Sequence, residues 1–274
     1  MNGAAPDPAC EPDLTLPNPA RVYDHMLGGA HNFAADRAFA ARILEALPGA
    51  RDAAVANRSF VHRAVRACLE LGCRQFLDLG SGIPTAEPVH TIAHRHDPAA
   101  RVAYVDIEPV AVSISRSVLD GVEGATITAA DLCDPEAVLA APGVAGLLDP
   151  QQPTAVLAAS VLHFVPDDDL LAALLARYCD AVGPGSMLVI SHGSTDQDDP
   201  AVGEEMAMLE RFTKESAQPA TSRDRDTLRR LTARLDLIEP GLVDVTRWRP
   251  DDPAEPGREV GMYALVGRIR PSSS

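Results

Sequence analysis

A glycine turn and a downstream acid are the residues with the clearest chemical meaning in this sequence. The run 76–79 suits a buried parallel strand, and Gly80-Ser81-Gly82 follows it directly. Glycines in such a turn let the backbone pass close to a ligand as the chain enters a helix. A second apolar run, 102–105, ends in Asp106, and in doubly wound sheets an acid there binds the two ribose hydroxyls of a nucleoside. We therefore predict a nucleoside-containing cofactor across the ends of these two strands.

The residues around this loop indicate which cofactor binds. A dinucleotide fingerprint has Gly or Ala three positions beyond the second glycine, where this sequence has Thr85. Asp78 stands two residues before Gly80, and a carboxylate there repels a pyrophosphate but suits a ligand that carries an ammonium and a sulfonium. The loop therefore resembles the S-adenosylmethionine (SAM) loop of class I methyltransferases. A tight turn that binds no ligand is the alternative interpretation.

Composition restricts the partners of the chain. Its 274 residues, 46% of them hydrophobic, can form one large α/β domain or at most two domains. The net charge of −15 opposes non-specific binding to nucleic acid or anionic lipid, because both depend on neutralising phosphates. We expect a small-molecule acceptor, no nucleic acid and no membrane partner, and leave the oligomeric state open. The sequence has no signal peptide pattern, so we expect a cytoplasmic protein.

Cysteine and histidine spacing does not predict a metal site. The five cysteines are scattered, and none forms a Cys-x-x-Cys pair. His90 and His94 stand one helical turn apart, a spacing that can bind zinc. Because no cysteine or carboxylate completes the set, we interpret these histidines as an exposed helix face and predict no metal.

Composition and hydrophobic periodicity predict that the chain has three parts. Residues 1–17 are rich in Pro, Ala and Asp and are interpreted as a disordered tail. Residues 18–73 contain three helix candidates and no strand, which favours a helical cap or lid. Residues 74–270 are predicted to form the cofactor-binding domain.

Within this third part, strands and helices alternate, which predicts an α/β fold with a mostly parallel sheet and right-handed crossovers. The predicted parallel strands are 75–79, 102–106, 125–129, 154–160 and 185–191. Two late segments, 243–245 and 262–266, have no long helix between them. They predict an antiparallel hairpin at one edge of the sheet, an arrangement that class I methyltransferases have and dinucleotide-binding folds lack.

Four segments together resemble one family, an actinobacterial group of SAM-dependent methyltransferases formerly known as a domain of unknown function. The segments are Asn18–Gly29 with Asn32–Asp36, Phe76–Thr85, Val161–Asp167 and Trp248–Pro250. The resemblance runs from about residue 18 to about residue 268. It implies a Rossmann-like, seven-stranded sheet, SAM as cofactor and methyl transfer to an acceptor that the family does not define.

The class I pattern, carried over by position, implies a set of cofactor contacts at the ends of four strands. They are Asp78, Gly80, Ser81, Gly82, Asp106, Ile107, Asp131, Leu132, Ser160 and Val161. The glycine loop approaches the methionine and ribose portions, and Asp106 holds the ribose hydroxyls. Ile107, Asp131 and Leu132 contact the adenine, while the last two residues of the set face the transferable methyl. Asp131 could instead cap the next helix, although Asp134 is better placed for that.

The cap supplies further candidates. Gly28 and Gly29 would end the first helix and let the following loop lie close to a ligand, with Tyr23 and Met26 touching the cofactor. A helix terminus followed by a solvated turn is the alternative. Arg58 is interpreted as the partner of the methionine carboxylate, because arginine binds a carboxylate through two hydrogen bonds. The alternative for Arg58 is a surface charge.

The sequence does not fix a catalytic base. His163, His25 and Asp24 are candidates if the acceptor is a neutral hydroxyl or an ammonium. His163 lies three residues beyond the fourth strand, and its alternative role is to pack beside Phe164 and order the loop. Two other functions stay open: a nicotinamide-dependent oxidoreductase and a non-catalytic SAM binder that acts as a sensor or scaffold.

Overall fold

A mostly parallel β-sheet organises the chain. The structure is a computed structural model that describes residues 12–85, 87–252, 254 and 257–271. The strands are β1 Gln75–Leu79, β2 Arg101–Asp106, β3 Ala125–Ala129, β4 Thr154–Ala159, β5 Met187–Gly193, β6 Leu235–Leu237, β7 Val243–Asp244 and β8 Met262–Ile269. The helices are α1 Pro19–Met26, α2 Ala34–Ala46, α3 Ala50–Glu70, α4 Val89–His96, α5 Pro109–Val118, α6 Pro135–Ala140, α7 Pro142–Ala145, α8 Asp168–Asp180, α9 Pro200–Thr213 and α10 Arg225–Leu231.

The strand order creates a crevice at the centre of the sheet. The order is β3-β2-β1-β4-β5-β8-β6, and every pair from β3 through to β5 is parallel. From β1 the chain winds outward through β2 to β3, and it then returns to β4 on the other side of β1. In open α/β sheets ligands bind outside the carboxyl ends of the strands at such a reversal. The ends of β1, β2 and β4 are therefore the expected binding edge.

The C-terminal strands confirm the predicted antiparallel edge. β8 pairs antiparallel with β5 on one side and with both β6 and β7 on the other. Among the described residues the sheet thus has eight strands in seven positions, because the outermost position is filled by two short segments. Pro240 and Gly241 separate these segments, since Pro240 has no N–H for a strand ladder and Gly241 adopts a left-handed φ of 83°.

Alternating side chains of the strands build a core on each face of the sheet. In β1, Phe76 packs into a cluster with Phe60 of α3, and Leu77 packs into the opposite cluster with Leu171 of α8. Both faces of the strands are covered, which explains their near-continuous apolar runs.

The first two helices form a third core with α9. Val22, Met26, Phe39 and Ile43 are buried together, and Leu209 of α9 packs against them. None of the helices in the described ranges is both long and apolar enough to cross a bilayer. The first eleven residues of the predicted disordered tail lie outside the described residues, so the division into tail, cap and cofactor domain stays a prediction.

The histidines of α4 correct one interpretation. His90 is buried, and both its backbone N and its Nδ1 lie within hydrogen-bond distance of Tyr104 Oη, at 2.8 and 2.9 Å. His94 Nε2 lies 3.0 Å from the Ala100 carbonyl oxygen. The exposed helix face predicted for them is wrong for His90, because this side chain fastens α4 to β2. In the part of the chain that the structure describes, no group of three His, Cys, Asp or Glu side chains is placed to hold a metal ion.

Candidate active site

One cavity of about 430 Å³ lies at the carboxyl ends of β1, β2 and β4. Its volume falls in the range of pockets that hold small ligands. Every residue predicted to contact the cofactor lines it: Tyr23, Met26, Arg58, Asp78, Gly80, Ser81, Gly82, Asp106, Ile107, Asp131, Leu132, Ser160 and Val161. The structure therefore brings together side chains that are spread over 139 positions, from 23 to 161, of the sequence.

The loop after β1 presents bare backbone to this cavity. Gly80 and Gly82 have left-handed φ values of 65° and 63°. A Cβ at Gly80 would lie 2.2 Å from Val161 Cγ2, whereas one at Gly82 would meet nothing within 4 Å. Ser81 Oγ is buried and has no hydrogen-bond partner among the described residues. The loop thus leaves space at Gly82 and an unsatisfied hydroxyl at Ser81, and both fit a polar ligand that lies against it.

The carboxylate of Asp106 is held in a fixed orientation. Asp106 Oδ2 accepts a hydrogen bond from Gly82 N at 2.6 Å, and Oδ1 accepts one from Glu108 N at 2.8 Å. Burial raises the pKa of Asp106, and these backbone hydrogen bonds oppose the rise. The two oxygens of a carboxylate have about four lone-pair sites between them, so Asp106 can still accept further hydrogen bonds. This geometry suits the two hydroxyls of a ribose.

Asp78 and Arg58, an acidic and a basic residue, line the cavity beside the loop. Burial raises the pKa of Asp78 to about 7, while the nearby positive charge of Arg58 opposes that rise. A desolvated carboxyl group gains from a cationic ligand. Arg58 is partly buried, lines the cavity and donates from Nη2 to the Glu87 carbonyl at 2.8 Å. Its position at the cavity favours a ligand-binding role over a simple surface charge.

The residues after β3 form the next part of the wall. Asp131 Oδ1 accepts from Cys133 N at 2.8 Å, which turns the chain towards α6. Asp134 is the residue that caps α6, since its Oδ1 accepts from Ala137 N at 3.0 Å. The prediction that Asp134 is the cap is confirmed, and Asp131 is left at the cavity with Leu132.

The end of β4 carries an unusual backbone conformation. Ser160 has a φ of 55°, a left-handed value that residues other than glycine rarely adopt. Its N–H donates to the Ser191 carbonyl at 3.0 Å, so β5 holds the turn in place. The turn directs Val161 towards Gly80. Strained backbone of this kind is concentrated at functional sites.

Two of the three candidate bases do not reach the cavity. Tyr23 and Met26 are three residues apart on α1 and share the face that lines it, whereas Asp24 and His25 point elsewhere. The buried Asp24 carboxylate accepts from His31 N at 2.9 Å and Asn32 Nδ2 at 2.8 Å, and also from Thr85 Oγ1. Asp24 therefore fastens α1 to its following loop and to the β1 loop.

His163 is the candidate base that lines the cavity. Its ring centroid lies 4.3 Å from that of Phe164 and 5.7 Å from that of His192, both in edge-on contacts. Burial, with smaller effects of His192 and Arg223, lowers the pKa of His163 to about 3. The imidazole is therefore neutral and a weak base at neutral pH, which favours the packing role over proton abstraction.

Two hydrogen-bond networks at the cavity were not predicted. Arg21 donates from Nε to Asp36 and from Nη1 to Glu108 Oε1 at 2.9 Å, and Glu108 also caps α5 through Ala111 N at 2.6 Å. The only sequence signal for Glu108 is the proline that follows it, since proline favours the first position of a helix.

The second network orients Tyr23. Ser191 Oγ donates to Asn57 Oδ1 at 2.6 Å, and Asn57 Nδ2 donates to Tyr23 Oη at 3.0 Å. Tyr23 Oη in turn donates to the Ala54 carbonyl at 3.0 Å. Asn57 lines the cavity, and no sequence pattern marks it as a site residue.

Comparison with known proteins identifies related sequences and folds. A family described as S-adenosyl methyltransferase matches residues 8–270. A candidate methyltransferase from Thermobifida fusca YX is 36% identical, with a TM-score of 0.88 over 94% of this chain and 97% of that chain. A DUF574 family protein from Streptomyces avermitilis MA-4680 is 30% identical, with a TM-score of 0.87 over 94% of this chain and 99% of that chain.

A more distant structure shares the fold alone. The N-methyltransferase NodS from Bradyrhizobium japonicum WM9, solved with S-adenosyl-L-homocysteine, is 13% identical, with a TM-score of 0.50. The similarity covers 91% of this chain and 98% of that chain. No curated protein matches the chain at a significant level.

Proposed function

Because the chain belongs to the S-adenosyl methyltransferase family, we propose that it transfers the methyl group of SAM to a small molecule bound in the same cavity. The observation that carries this proposal is the continuity of that cavity. The glycine loop and Asp106 line it, and so do apolar side chains of α2 and α9 such as Phe39 and Leu209. Cofactor and acceptor can therefore lie side by side without an intervening wall.

The residues present fit the cofactor in the proposed positions. Asp106 can accept further hydrogen bonds from the ribose diol, and Ser81 offers an unsatisfied hydroxyl beside the loop. Asp78 suits the cationic amino acid end, and Arg58 suits its carboxylate. Ile107, Asp131 and Leu132 are proposed to contact the adenine, and Ser160 and Val161 the methyl end.

The chain's own contribution to the reaction is alignment and the exclusion of water. Bound SAM supplies a methyl group activated by its sulfonium. The cap residues 18–73 are proposed to act as a lid that completes the cavity, with Tyr23 and Met26 turned towards the cofactor. Holding two reactants in line removes much of the entropic part of the barrier, so no strong base is required for a nucleophile that already has a reactive lone pair, such as a neutral amine.

Turnover is the direct test of the proposal. Purified protein is incubated with methyl-labelled SAM and the small-molecule fraction of a bacterial cell extract, and labelled products are separated by chromatography. We expect a labelled small molecule that requires the protein and is absent with the Asp106→Ala variant. Binding of SAM without any labelled product would favour the non-catalytic alternative. Binding of a nicotinamide dinucleotide in place of SAM would favour the alternative function, that of a nicotinamide-dependent oxidoreductase.

The affinity for SAM is expected to rise with pH through the titration of Asp78. The pKa of this carboxyl is about 7, so raising the pH converts it from a neutral acid to a carboxylate that attracts the cationic cofactor. Between about pH 6 and about pH 8 the charged fraction rises from roughly 0.1 to roughly 0.9, which predicts up to a roughly tenfold gain in affinity. Calorimetric titrations across this range measure it.

The Asp78→Asn variant is the control for this pH dependence. Other groups of protein and cofactor titrate equally in both proteins, so the difference between the two curves isolates Asp78. Parallel curves for wild type and variant would show that Asp78 does not bind the cationic part of the cofactor.

A further inference from the structure

The part of the cavity beyond the cofactor residues has its own chemical character. Its apolar wall comes from Phe39 and Ile43 of α2 and from Met206 and Leu209 of α9. Met26 of α1 completes this wall and packs with the two α2 residues in one buried cluster. These side chains favour the apolar body of a ligand over a sugar or a phosphate.

One carboxylate lies beside these apolar side chains, where the lining also includes polar residues such as Thr213, Ser216 and Gln218. Glu210 follows Leu209 on α9 and lines the cavity. Its Oε2 accepts a long hydrogen bond of 3.3 Å from Ser222 N, and within the described ranges it forms no ion pair. Arg58 is the one arginine or lysine among the described residues that line the cavity, and it lies beside Asp78 at the cofactor loop. Among the described residues, no cation therefore lies within ion-pairing distance of the Glu210 carboxylate.

Backbone contacts connect Glu210 to the reactive end of the cavity. Ser222, which donates to Glu210, follows Thr221, whose N–H donates to the His163 carbonyl at 2.8 Å. His163 stands two residues after Val161, at the end of β4 that is proposed to face the methyl group. Hydrogen bonds to the 221–222 backbone thus connect the Glu210 carboxylate with the segment that flanks the proposed methyl position.

We infer that the acceptor is an amine with an apolar body, and that Glu210 binds its ammonium group in the cavity beside the cofactor. This inference rests on the proposed function and specifies the class of its acceptor. A carboxylate that is only weakly hydrogen-bonded gains most from a cation, and charge-assisted hydrogen bonds are about twice as strong as neutral ones. A carboxylic acid acceptor would instead place two negative charges together.

The remaining side chains also favour nitrogen over oxygen as the acceptor atom. A hydroxyl acceptor needs a base, and the neutral His163 is a weak one, while Asp24 is fully hydrogen-bonded away from the cavity. A bound ammonium must also lose one proton, here to water, but the neutral amine that results is a much better nucleophile than a neutral hydroxyl and needs no base in the transfer step itself. Its nitrogen lone pair then forms the bond to the methyl carbon as the carbon–sulfur bond breaks, and the sulfur keeps that electron pair. Glu210 can accept an N–H of the neutral amine, which leaves the lone pair available.

Three probes with one shared body test the inference. Phenethylamine, phenethyl alcohol and phenylacetate are titrated by calorimetry into protein saturated with S-adenosylhomocysteine. We expect the amine to bind at least about tenfold more tightly than either of the others, because only it can form the charge-assisted contact. Equal or tighter binding of the alcohol or the acid, or no detectable binding of the amine, overturns the inference.

A matched pair of variants locates the effect at Glu210. Glu210→Gln keeps the shape and removes the charge, and we expect it to weaken amine binding roughly tenfold to a hundredfold. Glu204→Gln changes an exposed acid of the same helix and should leave amine binding unchanged. Unchanged amine affinity in Glu210→Gln overturns the inference. Affinity for S-adenosylhomocysteine is measured in the same proteins, so loss of the cofactor site, which would contradict the proposed function, is distinguished from loss of the amine site.

Discussion

The Asp106→Ala variant is expected to bind SAM roughly a hundredfold more weakly than the wild type, or worse. Two ribose hydroxyls lose a charged acceptor, and each charge-assisted hydrogen bond contributes about 1.5–3 kcal/mol. Gly82 N and Glu108 N also lose their partner, so the loop is less well ordered before the cofactor arrives. Isothermal calorimetry with SAM and with S-adenosylhomocysteine measures the loss.

Two further variants make the Asp106 experiment decisive. Asp106→Asn keeps the size of the side chain and one carbonyl acceptor, and we expect an intermediate affinity. Asp120→Ala removes an exposed acid beyond α5 and should leave binding unchanged. If Asp106→Ala retains wild-type affinity while remaining folded by circular dichroism, the proposed ribose contact does not exist.

Replacing Arg21 by methionine is expected to cost about 3–5 kcal/mol of unfolding free energy. The Arg21 side chain is 2% exposed, and the two carboxylates that it contacts, Asp36 and Glu108, are 0% and 5% exposed. Removing one partner of a buried ionic group leaves uncompensated charge in the interior, which is among the most destabilising single changes. Urea unfolding followed by circular dichroism measures the loss.

An exposed ion pair provides the comparison for Arg21. Arg42 contacts Glu215 with both side chains about half exposed, at 53% and 55%. Arg42→Met should therefore cost about 1 kcal/mol or less. Burial raises the pKa of the Glu108 carboxyl and Arg21 opposes that rise, so without Arg21 this pKa rises further and the folded variant retains a proton that its unfolded chain releases. The loss of unfolding free energy in Arg21→Met should therefore grow as the pH rises from about 4 to about 7. Equal losses of unfolding free energy in Arg21→Met and Arg42→Met would contradict the buried network.

The proposed cofactor half of the site could be predicted from the sequence because its signals are local. The glycine loop follows a strand directly, and Asp106 ends the next strand, so chain geometry alone places both at one sheet edge. The mostly parallel sheet and its antiparallel edge followed from alternation and from the missing late helix, whereas the order of the strands came only from the structure. Even the choice between Asp131 and Asp134 as helix cap rested on the position of each beside Pro135.

The candidate site residues on α1 show what the local sequence could not predict. Tyr23, Asp24, His25 and Met26 are neighbours in sequence, and each carries a side chain that suits a ligand site. Which face of α1 meets the cavity depends on how α1 packs against α2 and α3. That packing turns Asp24 towards Thr85, a partner 61 residues away in the sequence. Asp24 therefore has a structural role, in which it stabilises the contact between α1 and the loop after β1.

The sequence by itself predicted the sheet, the glycine loop and the acid at the end of the next strand, because each depends on residues within one strand–turn–helix unit. Tertiary structure alone decided the part of the cavity where the acceptor is proposed to bind, because α9 packs against α2 there and brings Glu210 to the wall. It also joined Arg21 to Glu108 over 87 residues and Ser191 to Asn57 over 134. Such contacts form between buried polar groups, and the identity of a distant polar partner leaves no periodic trace in a single sequence.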